Sequence, residues 1–281
     1  MSGVPSDAYR SEETAVGRDL AIAADRTHEA VTLVGVEKIY ESLSGSVTAL
    51  QDVSFEISNG EFVSLIGASG CGKSTVLKVI AGLISHQAGE VRVFGRPARA
   101  GLREVGLMFQ SPVLLPWRTV RENVVLPFEI FRQPVDDSIN DRASELLELV
   151  GLAGFDEKHP WELSGGMRQR AALARLLITN PSLLLMDEPL AALDELTRER
   201  LIFELASLCE QLAATAVYVT HNIAEALILS DRVIVMSSRP GTVAEDITVS
   251  LPRPRDSDVV DSVEFARLGR RIRDALTTSD G

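Results

Sequence analysis

The chain has 281 residues and 45% apolar content, enough to bury a full core as one large domain or two smaller ones. A formal net charge of −12 argues against a nucleic-acid partner, because neutralising phosphates needs clustered Lys and Arg. Two cysteines, Cys71 and Cys209, are too few and too far apart for a disulfide scaffold, and no run approaches the roughly 18 apolar residues of a membrane helix, so the sequence reads as a soluble chain of a reducing cytosol that would reach a membrane through a partner.

Residues 1–30 are rich in Ser, Ala, Asp, Glu and Arg, and are expected to form a mostly disordered leader. Strand-like alternation begins at Val31 and continues through residues 49–57. Asn59-Gly60 then gives a hairpin signal before the apolar run Phe62-Val63-Ser64-Leu65-Ile66. That run enters Gly67-Ala68-Ser69-Gly70-Cys71-Gly72-Lys73-Ser74-Thr75, and a helix-like run follows from Val76. The spacing G-x-x-x-x-G-K-[ST] between a strand and a helix predicts a phosphate-binding loop, in which the glycines let successive N–H groups turn toward phosphate oxygens. Lys73 would reach the β- and γ-phosphates, and Ser74 offers a hydroxyl to Mg²⁺, whose other oxygens come in part from the nucleotide.

Two further strands are expected, over residues 89–95 and 105–109, the second ending at Gln110. Helical signals dominate residues 111–163, with Ile139, Ala143, Leu146, Leu147 and Val150 at helical spacing and Gly151 at the stop position. Leu163-Ser164-Gly165-Gly166-Met167 then opens a helix that ends near Asn180-Pro181. Leu183-Leu184-Leu185-Met186 reads as a strand buried on both faces, ending at Asp187-Glu188-Pro189. A helix over about residues 195–212, a strand over 216–220 ending at His221, and a strand over 233–236 follow. Pro252-Arg253-Pro254-Arg255 reads as a stiff linker, after which Phe265, Leu268, Ile272 and Leu276 mark one face of a terminal helix.

The phosphate loop, Gln110, Asp187-Glu188 and His221 all sit at strand carboxyl ends, where open α/β sheets bind ligands. If those strands are parallel neighbours, the four features face one crevice. Asp187 is suited to bind Mg²⁺, and Glu188 to polarise an attacking water; alternatively both only cap the turn before Pro189. Ser164 with Gly165 and Gly166 at a helix start makes a second anion-binding N-terminus. One nucleotide hardly needs two such cradles on one chain, so two copies placed head to tail would let each cradle close over the γ-phosphate bound to the other.

Taken together, these residues resemble the ATP-binding subunit of an ABC transporter over about residues 31–255. The Walker A motif is residues 67–75, the Q-loop glutamine Gln110, the signature residues 163–167, the Walker B strand Leu183-Leu184-Leu185-Met186-Asp187 with Glu188, the D-loop Ala191-Ala192-Leu193-Asp194, and the switch histidine His221. The resemblance implies an α/β fold: a P-loop NTPase (RecA-like) core with an antiparallel β subdomain and a helical insertion over about residues 111–166, followed by a short helical tail over 256–281. It implies ATP and Mg²⁺, with Ser74, Gln110 and Asp187 at the metal, Asp194 and the signature at the nucleotide, and an adenine-stacking aromatic for which Tyr40 is the candidate. It also implies a second copy of the chain, transmembrane permease subunits, an extracytoplasmic solute-binding protein and a place on the cytoplasmic face of the membrane. Leu114-Leu115-Pro116-Trp117, Asp194-Glu195-Leu196-Thr197-Arg198 and Ser238-Arg239-Pro240-Gly241 with Leu251-Pro252-Arg253-Pro254-Arg255 are similar to the nitrate/sulfonate/taurine group of importers, although Leu190-Ala191 and Asn222 depart from that group's pattern. The rival reading is a soluble ABC-type ATPase not coupled to transport.

Overall fold

The computed structural model describes residues 29–42 and 45–279. The expected leader lies outside them except for Glu29 and Ala30, which already belong to the first strand, two residues before its expected start.

Strands β1 (Glu29–Ser42), β2 (Gly45–Ser58), β3 (Phe62–Gly67), β4 (Ala88–Val93), β5 (Arg96–Pro97), β6 (Val105–Met108), β7 (Leu183–Asp187), β8 (Thr215–Thr220), β9 (Arg232–Met236) and β10 (Val243–Thr248) form two sheets. The smaller is antiparallel, in the order β2-β1-β4-β5. In β2, Val53, Phe55 and Ile57 are buried while Ser54, Glu56 and Ser58 face out, the period-two pattern of a sheet with one wet face. The larger sheet has the order β10-β9-β3-β8-β7-β6 and is parallel except for β10.

β3, β7 and β8 are buried at every position, as continuous apolar runs in a parallel sheet demand. Their alternate residues feed different cores. Leu183, Leu185, Val217 and Val219 pack with Val76, Leu77 and Ile80 of α1 (Lys73–Ile80) and with the antiparallel sheet. Leu184, Met186, Ala216 and Tyr218 pack on the opposite face, under α2 (Val120–Ile130), α3 (Asp137–Leu149), α4 (Gly165–Leu177) and α5 (Glu195–Leu212). A third cluster joins Ile66, Val233, Val235 and Ile247 to α6 (Ile223–Leu229) and to Leu268 and Ile272 of α7 (Val263–Ser279). The expected tail face is therefore the packing face.

The helical insertion is locally encoded. Thr119 and Glu122 form a reciprocal capping box at the start of α2, and Asp136 caps α3 by accepting from the Ile139 N–H at 3.1 Å. Gly151 follows α3 with φ +66°, a left-handed stop that glycine adopts without strain.

Two expectations need correction. The Asn59-Gly60 turn forms, but it does not make a hairpin: it delivers the chain from β2 in one sheet to β3 in the other, and the Gly60 N–H donates to Thr215 Oγ1 at 2.9 Å instead of closing a ladder. β3 is buried on both faces, so its partners are the parallel strands β8 and β9. The second concerns β10, which sequence reading leaves out. Of its residues only Ile247 is fully buried, and its pairing with β9 is reinforced by Arg232, whose fork donates to both oxygens of Asp246 at 2.9 Å. No described helix is long and apolar enough to cross a membrane.

Candidate active site

The strand order decides the site. β3, β8, β7 and β6 are consecutive parallel neighbours, so the phosphate loop, His221, Asp187-Glu188 and Gln110 leave the sheet along one edge. Gly72 caps α1 at φ +107°, and a Cβ there would meet Leu50 Cδ2 at 2.6 Å and the Ala49 carbonyl at 2.9 Å, so only glycine fits. No side chain caps this helix, which leaves its first N–H groups for an anion.

Lys73 is buried, and its Nζ donates to the carbonyls of Gly67 and Ala68 at 2.7 and 2.9 Å. Ser74 Oγ donates to Asp187 Oδ1 at 2.9 Å. Burial pushes the Asp187 carboxyl above its ordinary pKa, the Ser74 bond draws it partly back, and the neighbouring Glu188 charge adds to the rise. Glu188 sits in the left-handed region at φ +49°, its N–H donating to the Val219 carbonyl at 3.0 Å. That conformation turns its carboxylate toward the crevice, where it accepts from Gln110 Nε2 at 3.0 Å and lies 3.5 Å from His221 Nδ1. The Tyr40 hydroxyl stands 3.4 Å from Thr75 Oγ1, under the Lys38 ammonium at 5.1 Å from the ring centre. Tyr40, Lys73, Ser74, Gln110, Glu188 and Arg239 line a cleft of about 500 Å³.

Other expected residues stand apart from this cleft. Ser164 caps α4 by accepting from the Met167 N–H at 3.2 Å, and Ser164 and Gly165 are exposed; neither they nor Gly166 line the cleft. Gly166 packs on the D-loop, where a Cβ would meet the Ala192 carbonyl at 3.1 Å. Asp194 caps α5 through the Thr197 N–H at 3.0 Å, a bond that holds its carboxyl below the ordinary range. The 114–117 segment is split: Leu114 packs against the core beneath the helices, whereas Trp117 is 70% exposed.

Sequence reading missed the groups that tie these loops together. Arg198 donates to the carbonyl of Leu190, just before the D-loop, and to that of Leu193 within it, at 3.4 and 2.8 Å, and approaches Glu225 Oε1 at 3.7 Å. Glu225 is buried and accepts from Thr220 Oγ1, on the residue before His221, and from the Tyr218 hydroxyl at 2.6 and 2.9 Å. A glutamate four residues after a strand-end histidine, on the inward face of a short helix, is the signal that was available. Gln169, buried on α4, donates to the Gln110 carbonyl at 3.4 Å and so links the helix after Ser164 to the Gln110 loop.

Known proteins are similar to this chain in sequence and fold. A family model described as ABC transporter matches residues 50–191. The chain is 40% identical over 242 residues to the aliphatic sulfonates import ATP-binding protein SsuB of Bacillus cereus (strain ZK / E33L), covering 86% of this chain and 94% of that one. It is 41% identical to the nitrate import ATP-binding protein NrtD of Synechocystis sp., over 78% of this chain and 82% of that one. Among solved structures it is similar to the ATP-binding cassette MJ0796, in a dimeric post-hydrolysis state bound to ADP and Pi, with a TM-score of 0.72 and 35% identity over 78% of this chain and 98% of that one. A P-loop at the edge of a parallel sheet, an antiparallel sheet beside it, a helical insertion that bears the Ser164 cap, and these similarities together place the chain in the ABC transporter family.

Proposed function

We propose that the chain is the ATP-hydrolysing subunit of a membrane importer, working as a pair of copies that enclose two ATP. The observation that supports this best is the separation of two anion cradles. One lies in the cleft at residues 67–75, and the other, at Ser164, is exposed and outside it. A head-to-tail partner completes each site by laying its Ser164 N-terminus over the γ-phosphate.

The donors around Ser74 fit Mg²⁺. A hydroxyl, the Asp187 carboxylate hydrogen-bonded to it and the Gln110 amide oxygen are hard oxygen ligands, and the described residues hold no cluster of three or more Asp, Glu, His or Cys that would favour an all-protein metal cage. Bound there, Mg²⁺ neutralises phosphate charge. Lys73 and the loop N–H groups hold the phosphates in line. Glu188 accepts the proton of the attacking water at its carboxylate, and His221 orients that carboxylate and touches the γ-phosphate. Gln110 contacts Glu188 with its side chain, and its carbonyl accepts from Gln169 of α4, so a change at the γ-phosphate is passed to the helical insertion and to a permease subunit docked beside Trp117.

The relatives named for sulfonate and nitrate import support a small anionic solute, delivered by an extracytoplasmic binding protein, and a peripheral position on the cytoplasmic face. The test is to co-purify the chain with its membrane subunits and measure ATP hydrolysis against candidate solutes with the binding protein present. Stimulation by one solute is the expected result; a rate indifferent to permease, binding protein and solute overturns the importer reading and leaves a soluble ATPase.

A further inference from the structure

Arg239 belongs to the Ser238-Arg239-Pro240-Gly241 stretch and has no part in the nucleotide site described above, yet it reaches the nucleotide cleft. β9 is the parallel neighbour of β3, with Met236 opposite Gly67, so residues 237–241 leave the sheet at the same edge as the phosphate loop. That segment is fixed in place. The Gly241 N–H donates to the Ala49 carbonyl at 3.1 Å, and its carbonyl accepts from the Gln51 N–H at 3.0 Å. Ser237 Oγ meets Thr242 Oγ1 at 2.8 Å and donates to the Pro240 carbonyl at 3.1 Å. A Cβ on Gly241 would fall 2.1 Å from the Cys71 carbonyl, so the segment rests directly on the phosphate loop.

From this platform the Arg239 side chain crosses Gly70. Its Nε donates to the Gly70 carbonyl at 3.4 Å, a long bond, and a Cβ on Gly70 would lie 2.9 Å from Nη2. Gly70 is held at φ +77°, which favours glycine there, and the guanidinium lies directly over it. Arg239 and Lys73 are the two cations among the residues lining the cleft, which also includes the Glu188 carboxylate. Several arginines elsewhere in this acidic chain are ion-paired, Arg253 with Glu210 and Asp231, Arg232 with Glu61 and Asp246, and Arg271 with Glu245, while Arg255 is spent on backbone carbonyls. Arg239 forms no ion pair among the described residues. An exposed fork whose terminal N–H groups have no hydrogen-bond partner among the described residues, held over a loop built for phosphate, has the geometry and charge that a phosphate oxygen pair requires.

We propose that Arg239 binds the phosphate chain of the nucleotide, adding a second cation to Lys73 from a separate loop. This rests on the cleft being the nucleotide site. The test compares Arg239→Gln, which retains a donor for the Gly70 carbonyl but not the charge, with Arg239→Lys and Lys73→Ala, by displacement of a fluorescent ATP analogue and by melting of the nucleotide-free protein. The expected result is about tenfold weaker ATP binding for Arg239→Gln at unchanged melting temperature, and a loss within about threefold for Arg239→Lys, the scale of one charge-assisted hydrogen bond. Wild-type affinity in Arg239→Gln, or equal losses in the Gln and Lys variants with lowered melting temperatures, would mark Arg239 as a latch on Gly70 and overturn the proposal. Lys73→Ala separates the two levels. If it alone loses ATP, the cleft stands and Arg239 is excluded; if it binds ATP as the wild type does, the reading of the cleft fails and the proposal goes with it.

Discussion

His221 Nδ1 stands 3.5 Å from Glu188 Oε1, although the two residues follow different strands of the sheet. β7 and β8 are parallel neighbours with Asp187 opposite Val219, so His221 emerges at the same sheet edge as Glu188, one residue further along. The opposite oxygen of the Glu188 carboxylate accepts from Gln110, beyond β6. Three strand ends thus hold one carboxylate, the arrangement expected of a group that must accept a proton in a fixed place.

Replacement of Glu188 by Gln preserves the shape and removes the base. ATP hydrolysis is expected to fall by about 10²- to 10⁴-fold with little change in ATP affinity. Single-turnover hydrolysis and equilibrium nucleotide binding measure the two quantities separately. His221→Ala should give the same split, because it loses the group that orients Glu188 and leaves the phosphate loop intact.

Asp187 gives a pH signature. Its carboxyl is raised chiefly by burial, and a carboxyl raised in the folded state favours folding below its unfolded pKa and loses that contribution as pH rises through the folded value. At neutral pH the ionised group therefore costs stability in the nucleotide-free protein. Asp187→Asn is expected to melt a few degrees above the wild type near neutral pH, the gap closing toward about pH 4, where the unperturbed carboxyl protonates. Calorimetry across that range tests the sign. The same variant should lose Mg²⁺-dependent hydrolysis.

Arg198 holds the D-loop through the carbonyls of Leu193 and of Leu190 just before it, and faces the buried Glu225, which is bonded to Thr220 beside His221. It is a positioning residue. Arg198→Ala should lower kcat by roughly 10- to 100-fold through misplacement of groups it never touches chemically, while ATP affinity stays near the wild-type value. Equal losses in kcat and affinity would count against this role.

Arg255 is buried and donates to the carbonyls of Leu227, Ile228, Ser230 and Leu251, closing the end of α6; burial draws its pKa down to about 10. Arg255→Ala leaves several carbonyls without a donor and should cost about 3 kcal/mol, a fall of roughly 6–12 °C in melting temperature for a chain of this size. Thermal unfolding reads this directly.

The site was legible in the sequence to the extent that its chemistry is local. The phosphate loop, Asp187-Glu188 and His221 each follow a short apolar run whose burial on both faces requires a strand, so their place at strand ends follows from a few residues. β10 was not legible, because Glu245 and Asp246 interrupt its apolar pattern and its pairing depends on β9 and Arg232. The Asn59-Gly60 turn misled for a related reason: turn chemistry fixes a reversal of the chain and not the sheet that receives the next strand. Glu225 and Arg198 gain their roles from contacts across elements, and Arg239 became a cleft residue only once β9 was seen beside β3.

One chain carries two half-sites, and in the proposed function ATP joins them across two copies. Sizing of Glu188→Gln by light scattering with ATP and Mg²⁺, beside the double variant Glu188→Gln/Ser164→Arg, tests it most directly. The single variant should shift from monomer to dimer with ATP and not with ADP. The double variant should stay monomeric while still binding ATP, because Ser164 is exposed and outside the cleft of its own chain. A double variant that dimerises with ATP as readily as the single one would contradict the account.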